Sequence, residues 1–246
     1  MAGHSHWAGI KHKKAAADKK RGKIFSKLAK AIIVAARVGG GDPDGNARLR
    51  LAIEKAKAAN MPKENIERAI KRGTGELDGV TYEEITYEGV GPQGIAIIAE
   101  VLTDNRNRTV AEVRKIFDTH GGTFGTSVAW NFSQKGVFTI PKKEGLSEEQ
   151  LTELALEGGA EDVVDQGDFF EIITDPGDFE SMKKILEENQ IEMENAEVTL
   201  VPQNTVKIED PSLAKKALKL LEALDEHDDI QKVHTNCEFP ENMEAD

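Results

Sequence analysis

The chain has 246 residues, with 32 Lys and Arg against 44 Asp and Glu and a net charge of −12. Its length suggests two domains or three small ones, and its 39% apolar fraction is enough for a folded core. A single Cys excludes a disulfide framework and any zinc site that needs two thiolates. The apolar run over residues 31–36 is far shorter than the roughly 20 residues of a membrane span. These features, and the lack of a secretory h-region, predict a cytoplasmic protein with no membrane partner.

The two ends of the chain differ in the sign of their charge. Residues 1–75 hold 18 Lys and Arg against 6 Asp and Glu, whereas residues 76–246 hold 14 against 38. This asymmetry is typical of a basic nucleic-acid-binding module joined to an acidic body. The alternative is a helical domain that is basic by coincidence and only solvated.

The N-terminal third predicts a basic arm followed by three helices. Residues 1–22 are basic, poor in apolar groups and broken by glycine, which favours a mobile arm. Apolar residues then recur at helical spacing through residues 23–73. We expect these helix limits: an end at Gly39–Gly41, a start at Asp42 and Pro43, a start at Pro62 and an end at Gly73.

From residue 80 the pattern alternates as it does in strands. The predicted elements are strands over 80–90, 94–102 and 123–132 and a helix over 110–117. Residues 203–246 add a short strand near Val206, a helix opened by Asp210 and Pro211, and a strand over 230–237. These C-terminal elements are too few for a domain, so we expect them to complete one with residues 80–132.

Residues 133–202 predict a self-contained set in the order β-α-β-β-α-β, the split βαβ or ferredoxin-like pattern. Ser147 with Gln150 forms a capping box for its first helix, and Asp175 with Pro176 caps the second. This segment holds 5 basic and 18 acidic residues. The predicted fold class is α+β with three domains: a three-helix domain with its arm (1–79), a discontinuous α+β middle domain (80–132 plus 203–246) and an inserted acidic α+β domain (133–202).

Several segments closely resemble the YebC/PmpR family. They are Gly3–Trp7, Ile10–Asp18, Arg21–Phe25, Gly40–Asp44, Lys55–Pro62, Asn65–Gly75, Thr103–Thr109 and Asp228–Gln231. The resemblance implies a cytoplasmic three-domain α+β protein without known catalytic activity that regulates transcription by binding DNA. Some relatives instead act in translation regulation, associating with the ribosome and assisting synthesis through proline runs. The motifs do not choose between these roles.

Phosphate binding requires clustered Lys and Arg, which release counterions when the polyanion neutralises them. The candidate nucleic-acid contacts are Lys11, His12, Lys13, Lys14, Lys19, Lys20, Arg21, Lys23, Lys27, Lys63, Arg68, Lys71 and Arg72. Trp7 is a candidate for stacking on an unpaired base, unless it folds back onto the helices. Arg106 and Arg108 are secondary candidates for an anion at a strand-to-helix junction, unless Asp104 or Asn105 pairs with them and caps the helix.

No residue pattern indicates catalysis, a cofactor or a metal. No nucleophile and base can be assigned, and His4, His6 and His12 lack the accompanying carboxylates or thiolates of a metal site. The acidic group at residues 225–229 lacks the spacing of a calcium loop and is interpreted as a solvated helix end. Cys237 is predicted to be a buried, small apolar group.

The sequence therefore leaves three functions open. The first is a DNA-binding transcriptional regulator; the second is a translation factor that binds rRNA, tRNA or ribosomal proteins; the third is a protein-interaction scaffold. The acidic domains repel phosphate, so we expect them to face a basic protein or to mask the basic module. The sequence does not indicate the oligomeric state.

Overall fold

The computed structural model describes residues 7, 10, 21–143 and 145–240, with the side chain of Arg21 outside the description. The first elements are helices α1 (Arg21–Gly39), α2 (Ala47–Ala58) and α3 (Lys63–Thr74). Their apolar stripes meet in one core that includes Ile32, Leu49 and Ile66. We call these three helices the helical bundle.

The capping residue at the start of α2 differs from the predicted one. Asn46, and not Asp42, caps α2, because its Oδ1 accepts a hydrogen bond from the backbone N of Leu49 at 3.1 Å. Its Nδ2 donates to the carbonyls of Ala35 and Gly40 at 2.8 and 2.9 Å. A single side chain thus joins the end of α1 to the start of α2. The predicted end of α1 is confirmed, since Gly40 adopts a φ of +88°.

Gly73 lies inside α3, so its predicted role as the end of that helix is wrong. The helix continues to Thr74, and Gly75 forms the left-handed cap at φ +84°. A Cβ added to Gly73 would lie 2.5 Å from the carbonyl oxygen of Ile33 and 2.7 Å from the Cβ of Ala36. The glycine is needed for the close approach of α1 and α3.

The next unit, which we call the first sheet unit, takes its elements from both sides of residues 132–202. They are β1 (Glu83–Val90), β2 (Ala96–Thr103), α4 (Arg106–Thr119), β3 (Thr123–Phe124), β8 (Val206–Lys207), α7 (Pro211–Asp225), β9 (Ile230–Thr235) and β10 (Cys237–Glu238). Its main sheet has four antiparallel strands in the order β3-β1-β2-β9. Helices α4 and α7 cover the sheet and share its core, which contains Phe117 and Leu220. Asp210 caps α7 as predicted, accepting from the backbone N of Ser212 and Leu213.

Two predicted strands of the first sheet unit are interrupted. The strand predicted over 123–132 is wrong, because only Thr123–Phe124 pair and Gly125 then turns the chain at φ +89°. The strand predicted over 230–237 breaks at Asn236, whose Oδ1 accepts from the backbone N of Ala96 at 2.7 Å.

The elements of the second sheet unit are β4 (Phe132–Pro141), α5 (Glu148–Glu157), β5 (Ala160–Asp165), β6 (Phe169–Thr174), α6 (Phe179–Glu188) and β7 (Asn195–Pro202). Its sheet has the antiparallel order β5-β6-β4-β7, which is the predicted ferredoxin-like topology. The capping box of Ser147 and Gln150 is confirmed. Asp175 makes no side-chain cap, because a 3-10 turn at Pro176–Asp178 precedes α6.

The protein is α+β, as predicted. The first sheet takes β9 from the chain that follows the second sheet, so the second sheet unit is inserted into the first. The residue boundaries predicted for the three domains stay a prediction. No helix in the described part of the chain has both the length and the apolar content that crossing a bilayer requires.

Candidate nucleic-acid interface

The structure separates the predicted cationic residues into groups. Lys11, His12, Lys13, Lys14, Lys19 and Lys20 lie outside the described residues, as do His4 and His6. Arg21 opens α1, but its side chain is not among those described. The remaining candidates belong to α1, α3 and the start of α4.

Trp7 is enclosed by the first sheet unit. Its side chain is 5% exposed and belongs to the core formed with Phe117 and Leu220. In this arrangement the indole is not presented to an unpaired base. Trp7 instead folds back onto the protein, and it does so onto the first sheet unit and not onto α1–α3.

Three lysines of α1 point at one acidic segment. Lys23, Lys27 and Lys30 follow one another at spacings of four and three residues, which places them on one face of the helix. All three contact residues 225–229, which we call the acidic turn. The contacts are Lys23 Nζ to Glu226 O at 3.2 Å, Lys27 Nζ to Asp225 O at 2.5 Å, Lys30 Nζ to Asp228 O at 3.0 Å and Lys30 Nζ to Asp229 Oδ1 at 2.8 Å.

The position of the acidic turn explains why it attracts cations. It follows the C-terminus of α7, where carbonyl oxygens lack helical partners and the helix dipole is negative. Acidic side chains add to this negative potential. The interpretation of this segment as a solvated helix end holds for the exposed Glu226 and Asp228 and is wrong for Asp229, which is buried against Lys30.

Asp229 is the most enclosed group of the acidic turn, with its side chain 7% exposed. It accepts hydrogen bonds at 2.8 Å from Lys30, from Arg108 and from the hydroxyl of Thr109. Burial alone would raise the pKa of Asp229, but these three bonds outweigh it and hold the pKa well below its usual range. Asp229 therefore ties α1 to the start of α4 as a permanent anion.

The secondary candidates on α4 are engaged within the protein. Arg108 pairs with Asp104 at 2.9 Å and with Asp229 at 2.8 Å. Asn105 caps α4 by accepting from the backbone N of Arg108 at 3.0 Å. Arg106 lies 3.6 Å from a carboxylate oxygen of Glu83. These contacts agree with the alternative that Asp104 and Asn105 fix the turn, and they occupy the arginines that an anion site would need.

A group of possible metal ligands lies beside this network, formed by Glu112, His227 and Asp229. The Nδ1 of His227 accepts from the backbone N of Asp229 at 3.1 Å, so its Nε2 carries the proton and donates to Glu112 at 2.8 Å. Both ring nitrogens and the Asp229 carboxylate are therefore already occupied. The group fits a hydrogen-bond network and gives no argument for a metal site.

A different face of the bundle presents exposed arginines. Arg68 and Arg72 lie one turn apart on α3 and border a groove of about 210 Å³ between α1 and α3. Ser26 and Asn65 also line it, and Phe25 lies among its apolar residues. We call Ser26, Asn65, Arg68 and Arg72 the arginine groove. Within the described part of the chain neither arginine forms an ion pair.

The other two candidates on α3 differ in their surroundings. Lys71 is exposed. Lys63 is exposed as well and lies 3.7 Å from a carboxylate oxygen of Glu67, one turn further along the helix. An exposed pair of this kind contributes little, so Lys63 stays accessible to a stronger anion.

Two family models together match most of the chain. Residues 5–76 match the model described as the TACO1/YebC protein N-terminal domain, and residues 82–237 match the one described as the TACO1/YebC second and third domain. The chain belongs to the TACO1/YebC family. The resemblance drawn from the sequence motifs is thereby confirmed.

Curated relatives in the TACO1/YebC family share the whole length of the chain. A "probable transcriptional regulatory protein" of Desulforapulum autotrophicum is 57% identical over 99% of this chain and 98% of its own. One of the same description from Dictyoglomus thermophilum is 56% identical with the same coverage. The crystal structure of a conserved hypothetical protein, Aq1575 of Aquifex aeolicus, matches with a TM-score of 0.89 at 51% identity. That match covers 98% of this chain and all of the other.

Sequence reasoning missed some residues of these TACO1/YebC surfaces. The helical spacing predicts Lys30 on the surface of α1 with Lys23 and Lys27, but Lys30 is not among the predicted nucleic-acid contacts. Ser26 and Asn65 were also missed, because a small polar residue on a helix gives no signal until its neighbours across the groove are known.

Cys237 is buried as predicted, and burial raises the pKa of its thiol to about 12.

Proposed function

We propose that this chain is a cytoplasmic, DNA-binding regulator of transcription that contacts the phosphate backbone through its basic arm and helical bundle and catalyses no reaction. The relatives' description as transcriptional regulatory proteins supports the regulatory role. The arginine groove supports the mode of binding. It is the observation that carries the proposal, because it offers accessible cations on a packed element.

The chemistry of the arginine groove suits a phosphodiester. A guanidinium presents planar, paired donors that match phosphate oxygens, and it stays charged at any physiological pH. Arg68 and Arg72 extend from a helix whose other face is buried, so their backbone is fixed before binding. Ser26 and Asn65 add neutral donors beside them.

The rest of the chain is suited to other contacts. The segment 133–202 has 5 basic and 18 acidic residues and repels a polyanion. We propose that this acidic surface faces a basic protein partner while the bundle and the arm bind the nucleic acid. Lys11–Lys20 supply further positive charge directly before α1.

Two parallel assays test the proposed function. The first is retention of the full chain on duplex DNA at moderate salt. The second is sedimentation of a cell lysate through a sucrose gradient, with and without nuclease. We expect retention on the duplex and a position at the top of the gradient. Migration with ribosomes or their large subunits that ribonuclease abolishes, without retention on duplex DNA, would replace the proposal with a role in translation.

A further inference from the structure

The lysine face of α1 is the part of the predicted nucleic-acid surface that the protein itself occupies. Lys23, Lys27 and Lys30 donate to four oxygens of the acidic turn, three of them backbone carbonyls. Lys23 also lies 3.8 Å from the carboxylate of Asp228. Each ammonium therefore has an oxygen acceptor where a phosphate oxygen would otherwise bind.

The acidic turn resembles a phosphate backbone in its chemistry. It presents a row of oxygen acceptors, a negative helix end and acidic side chains along one face of α1. A lysine stripe that fits this row also fits a row of phosphates, since both are closely spaced oxygen acceptors in a negative potential.

At Lys23 and Lys27 the contact with the acidic turn is weak enough for a polyanion to displace it. The side chains of Lys23 and Asp228 are 55% and 75% exposed, so water and salt screen their attraction. Lys23 and Lys27 otherwise bind neutral carbonyls, and a charged phosphate binds an ammonium more strongly than a neutral oxygen does. Lys30 differs, because its ion pair with Asp229 is buried and is not exchanged. Release of counterions from the nucleic acid favours the exchange further.

We propose that the acidic turn is an intramolecular competitor for nucleic acid: it occupies Lys23 and Lys27, and a bound phosphate backbone displaces it from them. Lys23 and Lys27 then add to the cations of the arginine groove, while the buried Lys30–Asp229 pair keeps the helical bundle in place. This inference rests on the proposed function. It adds that the affinity for nucleic acid is limited by the protein's own acidic segment.

Charge-neutralising variants of the full chain test the competition. The variant Asp225→Asn/Glu226→Gln/Asp228→Asn weakens the acidic turn but keeps Asp229, whose bonds hold α4. The matched control is Glu149→Gln/Glu153→Gln/Glu157→Gln on the exposed face of α5, which removes the same charge away from the lysines. Anisotropy of a labelled duplex at low salt gives each affinity, and the unfolding temperature shows that each variant is folded.

We expect the acidic-turn variant to bind the duplex about fivefold or more tightly than the control, in the range typical of coupling between two sites. Adding Lys23→Gln/Lys27→Gln to it, with Lys30 kept on Asp229, should remove that gain. Equal affinities of the acidic-turn variant and the control would overturn the competition and leave the proposed function standing. A gain that survives loss of the lysines would also overturn it. Binding by none of the proteins would overturn the proposed function and this inference together.

Discussion

At the scale of the residue, Gly73 shows how one missing side chain sets the distance between two helices. Helix α3 packs so closely on α1 that the Ile33 carbonyl lies where a Cβ of residue 73 would need to be. An alanine would normally favour a helix interior over glycine by about 1 kcal/mol. Here the steric cost exceeds that propensity, because backbone cannot move aside as the end of a flexible side chain can.

We predict that Gly73→Ala lowers the free energy of unfolding by about 1–3 kcal/mol in urea denaturation. Gly22→Ala is the matched control, since Gly22 also lies in a helix but, apart from its own helix turn, no described residue comes within 4 Å of an added Cβ. This control should be neutral or stabilising by up to about 1 kcal/mol. A Gly73→Ala protein as stable as the Gly22→Ala protein would show that α1 and α3 are further apart than described.

At the scale of the element, Asn46 determines how α1 and α2 meet. Its carbonyl oxygen caps α2, and its amide nitrogen satisfies two carbonyls around the end of α1. Its bond to the Ala35 carbonyl is buried, so that carbonyl has no water to replace a lost donor. The bundle that presents the arginine groove depends on this corner.

We predict that Asn46→Ala destabilises the protein by about 2–3 kcal/mol, the sum of a lost cap and lost buried hydrogen bonds. Asn46→Asp keeps the cap acceptor but loses the amide donor and places a charge against two carbonyls. It should therefore also be destabilising. Chemical denaturation measures both, and a wild-type midpoint for Asn46→Asp would show that the bonds to Ala35 and Gly40 contribute nothing.

Elements could be predicted from the sequence where the deciding contacts are local. The Ser147–Gln150 box and the Asp210 cap each involve bonds across two or three residues, and both predictions are confirmed. The predicted cap at Asp42 is wrong although the bond from Asn46 to Leu49 is also local; the second bond of Asn46, to Ala35 eleven residues away, has no local signal. The partners of the α1 lysines lie about 200 residues along the chain, and no spacing pattern indicates such a contact.

At the scale of the whole molecule, one carboxylate joins all three parts of the structure. Glu197 of β7 forms ion pairs with Lys55 of α2 and Lys232 of β9, and each Nζ lies 2.5 Å from a carboxylate oxygen. Burial opposes ionisation of Glu197, but the two ammonium groups outweigh it and hold its pKa well below the usual range. The helical bundle and both sheet units therefore meet at one enclosed anion.

We predict that Glu197→Gln costs about 2 kcal/mol of stability at pH 7, because two lysines lose their shared partner. A depressed pKa stabilises the folded state fully above the ordinary value of 4.5 and progressively less as the pH falls below it. The wild-type and Glu197→Gln unfolding energies should therefore converge in acid. Parallel curves between pH 7 and pH 3 would contradict this account, and exposed Glu153→Gln is the control.

The central claim is that the bundle and the arm bind the phosphate backbone, and the salt dependence of duplex affinity tests it most directly. Six to ten phosphate contacts predict a loss of roughly 10³ to 10⁵ in affinity between about 50 and 200 mM salt. Arg68→Gln/Arg72→Gln should reduce the slope of log affinity against log salt by about two. Lys142→Gln/Lys143→Gln, the same charge change on the second sheet unit, should leave the slope unchanged. A wild-type affinity that does not vary with salt, or equal slopes for the two variants, would contradict the account.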